Sequence, residues 1–296
     1  MRSARSAAFA LALALLPAAA GPGEAQEVVS WRADASRDGT VTVRAGNGRV
    51  RVVGWGRDEV VALSRDTRDP DERKGRGPVR ITSGRGETRV RISGHEPVEV
   101  RVPSGSRVDV ATATGDVEVT GVTGAVDLES TTGDFRITGN PRMVSAEGLS
   151  GRFELKGSTA SLRVKTMSGD ILVPRAVGFV ELVTVTGDID VTSRGVRRGT
   201  LRSTAGRTRF AGSVPRDGSL RFETSSGEID LRLPRDVAAD FELTSLGGGE
   251  ILSELGPEPR RSGNGSEVEV LRFSSGSGGA EITARTVSGS IRLRRQ

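Results

Sequence analysis

From residue 105 to the end, apolar residues recur in a fixed frame around glycines that follow a Ser/Thr-rich pair. Gly115, Gly133, Gly151, Gly169 and Gly187 are each 18 residues apart, Gly206 and Gly227 follow at 19 and 21, and Gly289 recurs near the C-terminus. Seven and five residues before these glycines stand pairs such as Val108 and Val110, Leu162 and Val164, and Leu220 and Phe222. Two and four residues after them stand Val117 and Val119, Phe153 and Leu155, and Ile189 and Val191. Apolar and polar positions alternate on each side, the period of a strand with one buried face. The parity changes across the glycine, so each unit is two short strands joined by a turn that switches the face. One such unit cannot hide its apolar side alone. Stacking hides it, if identical positions lie above one another at about 4.8 Å and the backbone pairs with the coils above and below. The expected fold is all-β, a single-stranded parallel β-solenoid (β-helix) with rungs of about 18 residues, preceded by a less regular β region.

The polar columns agree with that stacking. Three residues after the glycine run Glu118, Arg136 and Glu154, then Asp190, Arg209 and Asp230, alternating in sign as vertical pairing prefers. Arg163 with Glu181, Glu147 with Lys165, and Arg221 with Glu242 hold matching offsets in consecutive units. Three residues before the glycine stand Thr112, Ser130, Gly148, Thr166, Thr184, Ser203, Thr224 and Thr286, an inward column expected to form a hydroxyl ladder.

The frame loosens at both ends. Val41, Val43, Gly48, Val50 and Val52 fit it, and Val79, Ile81, Gly86 and Val90 are read as another rung. Between them, Ser64 to Gly77 is charged and reads as an exposed loop. Val98, Val100 and Val102 alternate in a strand expected to lead into the regular stack. Gly256 to Gly265 interrupts the register, with a further rung around Val268 and Val270, and the last good rung finishes at Leu293 with no cap after it. An uncapped coil edge invites end-to-end self-association.

Composition sharpens the class. The 296 residues include 40 Gly, 8 Phe and 2 Trp, with no Tyr and no Cys. Narrow coils closed by glycine turns need few aromatics. Lys plus Arg is 43 against 38 for Asp plus Glu, and the signs are mixed along the chain, which argues against a basic stripe for nucleic acid. At the N-terminus, Arg2 and Arg5 precede the apolar run Ala7 to Leu16, then Pro17 and small residues. That is the order of a secretory signal peptide with cleavage after Ala20 or Ala25, and the run is too short to span a bilayer comfortably. The domain expectation is therefore a signal peptide over 1–25, an irregular β region over 26–104 and the repeat over 105–296. The mature chain is expected in the periplasm or secreted, with no transmembrane span.

Candidate chemistry is sparse. His95, the sole histidine, sits in a Gly-His-Glu-Pro turn. No nucleophile elbow or phosphate-binding loop occurs, and one His without Cys cannot build the usual zinc site. Asp116, Asp134, Asp170 and Asp188 follow their glycines directly, and stacked carboxylates at that spacing could hold calcium. Gly-Asp is also ordinary turn chemistry, and Arg152 and Arg207 interrupt the column. No catalytic, cofactor-binding or metal-ligating residue is assigned. A carbohydrate-active parallel β-helix enzyme would carry its acids, Arg and Lys on long loops for which these rungs leave little room.

The recurring Thr/Ser-x-Ser/Thr-Gly-Asp-φ-x-φ, where φ is apolar, resembles a bacterial domain-of-unknown-function family described as candidate adhesins. It stands at Thr112–Val119, Thr166–Val173 and Thr184–Val191 and, with Glu228 in place of Asp, at Thr224–Leu231, and Val98–Pro103 resembles the strand that leads into that family's repeat. The similarity spans roughly residues 40–296. It implies a β-solenoid on exported or envelope proteins and brings no catalytic residues with it. The expected role is a non-catalytic scaffold binding an envelope protein or glycan, with no cofactor. A self-assembling structural solenoid is the alternative.

Overall fold

The computed structural model describes residues 29–65, 77–261 and 268–296. The expected signal peptide, most of the charged stretch from Ser64 to Gly77, and residues 262–265 of the interrupting loop lie outside the described residues. Everything regular is strand, with no helix among the described residues. The chain divides into two compact units, up to Pro141 and from Arg142 onward.

The first unit holds β1 (Val29–Asp34), β2 (Thr40–Asn47), β3 (Val50–Trp55), β4 (Glu59–Ser64), β5 (Val79–Gly84), β6 (Glu87–Ile92), β7 (Val98–Pro103), β8 (Arg107–Thr114), β9 (Val117–Thr120), β10 (Ala125–Thr132) and β11 (Phe135–Gly139). Strands β10 and β8 pair in parallel with Val126 beside Val108, and β11 and β9 pair with Phe135 beside Val117, so residues 18 apart become neighbours. On the other side of β8–β9 lies β2–β3, with Val41 beside Val108 and Val50 beside Val117. Beyond it lies β6–β7, again parallel.

Two expectations are corrected here. Val79–Val90 is not a rung: β5 and β6 form an antiparallel hairpin. Its two-residue turn has Arg85 and Gly86 at φ 52° and 79°, the left-handed pair that suits the twist of a tight hairpin. Strand β7 does not lead into the stack at β8. It lies on the far side of β3 and takes β4 as an antiparallel neighbour, and β4 is covered in turn by β1.

The second unit holds β12 (Met143–Ser150), β13 (Phe153–Gly157), β14 (Ser161–Ser168), β15 (Ile171–Thr186), β16 (Ile189–Ala205), β17 (Thr208–Ser213), β18 (Ser219–Ser226), β19 (Ile229–Leu233), β20 (Ala239–Ser245), β21 (Ile251–Ser253), β22 (Arg260–Arg261), β23 (Glu269–Ser275), β24 (Ala280–Thr286) and β25 (Ile291–Arg295). Up to β19 the parallel register follows chain order, with Val144 beside Leu162, Leu162 beside Val180, and Leu201 beside Phe222. The aliphatic columns named from the sequence are buried throughout, from Val108 and Val110 to Ile291 and Leu293. Gly199 is the gap in its column; the space is taken by Leu220 and Val196, whose methyls a Cβ on Gly199 would crowd.

After β19 the order changes. Strands β24–β25 pair with β18–β19 on one side and with β20–β21 on the other. The last rung is thus interior, not an uncapped edge, and the observation behind end-to-end self-association is withdrawn. The segment around Val270 is not a rung either: β23 runs antiparallel to β20, and β22 antiparallel to β23. The insertion explains one failed charge pair. Thr283 stands between Arg221 and Glu242, so Arg221 reaches Glu223 at 3.8 Å and Glu242 bonds Arg272 across the hairpin.

Candidate functional site

The glycine column is the tightest part of each rung. Gly133 and Gly187 have φ of 141° and 142°, a region that L side chains rarely adopt. A Cβ on either would also collide with the carbonyl oxygen of the glycine one rung away, Gly115 or Gly169. That stacking places the following residues in line. The Asp134 N–H donates to the Asp116 carboxylate at 3.1 Å, the Asp188 N–H to Asp170 at 3.0 Å, and the Arg207 N–H to Asp188 at 2.8 Å. Guanidinium groups take remaining oxygens: Arg49 reaches Asp116 at 3.0 Å and Arg152 reaches Asp170 at 3.2 Å. The N–H of Asp134, more than Arg49, holds the Asp116 carboxyl below the usual carboxylate range. The column is thus a ladder of charge-assisted hydrogen bonds between rungs.

The hydroxyl column is buried as its parity requires, at Thr112, Ser130, Thr184, Ser203, Thr224 and Thr286. Only parts of it are joined. Thr112 donates to Ser130 at 2.9 Å, while Thr184 and Ser203 reach carbonyls in the neighbouring glycine turns. Thr166, Thr224 and Thr286 have hydroxyls without a partner among the described residues. His95 is exposed in its bend. On the outer faces, Arg163 bonds Glu181 at 2.8 Å, Lys165 approaches Glu147 at 3.7 Å, and Arg209 approaches Asp190 at 3.6 Å, as the sequence pairs them.

The outer face of β12, β14, β15 and β16 also carries what the sequence reading passed over. Two residues before the glycine, Leu149, Met167 and Val185 stand in vertical register and are all roughly half-exposed, Met167 at 56%. At the far end of the same strands, Phe179 lies between Ser161 and Arg198 with 51% of its surface exposed. The Arg198 guanidinium sits 5.7 Å from its ring centroid. Here the strands enclose a hollow of about 390 Å³ bordered by Arg163, Phe179, Val183, Arg198, Thr200 and Arg202. A second hollow of about 290 Å³ shares Arg202 and extends over β18 to Arg285 and Val287. The signal for this face was present in the sequence as apolar residues at outward offsets.

Stacked parallel strands around an aliphatic interior, with glycine corners and charged outer faces, define a repeat protein whose surface is set column by column. Residues 98–181 and 160–294 match the Toastrack DUF4097 family, well over half of the 296-residue chain, and the chain belongs to that family. A candidate adhesin from Parabacteroides distasonis aligns at a TM-score of 0.50 and 9% identity, over 91% of this chain and 98% of its own. A candidate adhesin from Bacteroides fragilis aligns at 0.45 and 10% identity, over 92% of this chain and 100% of its own. A candidate lipid-binding protein, also from Parabacteroides distasonis, aligns at 0.41 and 9% identity, over 92% and 98%. At such identities the likeness concerns fold alone. No curated protein matches the chain. No helix among the described residues is long and apolar enough to cross a membrane.

Proposed function

We propose that the chain is an exported, non-catalytic scaffold, a β-solenoid of about 18-residue rungs over 105–296 preceded by the less regular region 26–104. Its outer sheet faces hold a protein or glycan of the cell envelope. Export to the periplasm or the medium is supported by the basic, apolar and small-residue order of residues 1–25. The observation that carries the binding role is the outer face of β12, β14 and β15. Met143, Leu149, Met167, Phe179 and Val185 are exposed there, on strands that also carry the ion pairs Arg163–Glu181 and Lys165–Glu147. Clustered exposed apolar side chains on a flat strand face mark an interaction surface. The test is a binding screen of the full chain against cell-wall glycans and envelope proteins, repeated with Met167→Ser and Val185→Ser together. Binding lost in the double variant, with an unchanged melting temperature, supports the reading. Binders that ignore the substitution, or no binder at all, count against it.

A further inference from the structure

Of the three arginines bordering the first hollow, Arg198 alone has no carboxylate at hand among the described residues. Arg163 is tied to Glu181 at 2.8 Å and Arg202 to Glu223 at 2.8 Å. The register neighbours of Arg198 are Phe179 and Ser219, and no acid lies within bridging distance of it among the described residues. Its guanidinium packs near a half-exposed ring at the border of the first hollow. The position owes something to an irregularity in the stack. The pairing of β15 with β16 shifts register between Val173 and Phe179, and this extra residue sets Phe179 beside Arg198.

We propose that this groove binds an acidic glycan, a chain of sugar rings bearing carboxylates. The proposal rests on the scaffold reading above and names its ligand class. Three features converge on it. Arg198 offers a planar pair of donors matched to a carboxylate, and Arg163 and Arg202 flank it, so Glu181 alone leaves the first hollow with an excess of positive charge. The Phe179 ring and Val183 provide apolar contact for the C–H faces of a sugar ring. Ser161, Thr200 and Thr204 line the two hollows with hydroxyls suited to ring hydroxyls. The hollows together cross β14, β15, β16, β18 and β24, about 19 Å at the usual strand spacing, which suits an extended oligosaccharide rather than a single small anion. A lipid would ask for a deep apolar slot to take its acyl chain, whereas this groove is open and its first hollow is lined mainly by polar side chains, three arginines among them.

The experiment is calorimetric titration of the full chain with hexagalacturonate, with an uncharged glucan hexamer and with anionic phosphatidylglycerol vesicles. The expected result is binding of hexagalacturonate that weakens with added salt, and none of the neutral hexamer. Arg198→Gln should weaken it about tenfold. Phe179→Ala, which leaves the charge intact, should weaken it about fivefold. Arg235→Gln, a charge-matched change in the turn after β19, should leave it unaltered. Melting temperatures equal to the parent's show that the variants are folded. Hexagalacturonate that fails to bind, or binds Arg198→Gln and Phe179→Ala as well as the parent, overturns the proposal, and so does binding to vesicles alone. The scaffold reading survives any of these if the screen returns a partner whose binding is lost in the Met167→Ser and Val185→Ser double variant.

Discussion

Gly187 meets two constraints at once, and they can be separated. Its φ of 142° strains any side chain, and its Cβ position is filled by the Gly169 carbonyl. Gly195 has φ 126° with open space around it. Gly187→Ala should therefore cost about 3 kcal/mol and Gly195→Ala about 1 kcal/mol, read as shifts in the urea midpoint. Thr208 is the opposite case. It occupies a buried column that otherwise holds aliphatic or aromatic side chains, and its hydroxyl has no partner. Thr208→Val should raise stability by about 1 kcal/mol. Two aspartates give opposite pH behaviour. Asp116, with its carboxyl lowered by the Asp134 N–H, adds stability above the ordinary aspartate range, and that contribution is lost as pH falls through its depressed value. Asp127 has its carboxyl raised by partial burial, and by Asp109 beside it, although the charge of Arg107 lies close to both. Its ionisation opposes folding as pH rises through that raised value. Asp127→Asn should stabilise by about 0.5 kcal/mol at neutral pH, and the gain should vanish near pH 3, as a denaturation series across pH will show. The columns themselves were legible from sequence because stacking turns a linear period directly into contacts. Leu149, Met167 and Val185 went unremarked because an expectation of charged ladders on the outer face hid the apolar entries among them.

Strand order was the part of the fold the period could not show. A repeat in sequence says that units are alike, and each unit fits beside any other. The match of Arg221 to Glu242 assumed that chain order equals stacking order, and Thr283 between them shows that it does not. The β5–β6 hairpin is a second case. Val79, Ile81 and Val90 alternate correctly for either a rung or a hairpin, and the short Arg85–Gly86 loop was the deciding signal. Both units use such pieces at one end of their parallel ladder, β4 and β5 in the first and β23 in the second. An antiparallel cover removes a parallel edge that another chain would otherwise extend. Deleting 280–296 should open a gap beside β18–β19 and strip the core of Ile282, Ala284, Ile291 and Leu293. Limited proteolysis of that truncation should cut within 239–275 while 143–193 stays protected.

No disulfide holds this protein together, and its aromatic contacts among the described residues are few, Phe210 against Phe222 and Phe241 against Phe273. It has no Cys, and its stability is a sum over neighbouring rungs, each adding a few buried aliphatic side chains. The exposed ion pairs on the outer faces contribute little by comparison. Raising sodium chloride to about 1 M should therefore move the melting temperature by no more than about 3 °C, even though it screens surface charge almost completely. The interleaved final rung has a further consequence for how the second unit is made. A polypeptide delivered N-terminus first can zip up β12 through β19 as it emerges, each coil templating the next. Residues 239–253 then arrive with no parallel template, because the strands that will lie against them, β24 and β25, follow some 30 to 40 residues later. During that interval β20 has only its hairpin mate β23 to hold it. Closure of the second unit is thus a late, clasp-like event, and the interval before it is when chaperones or quality-control proteases have their access.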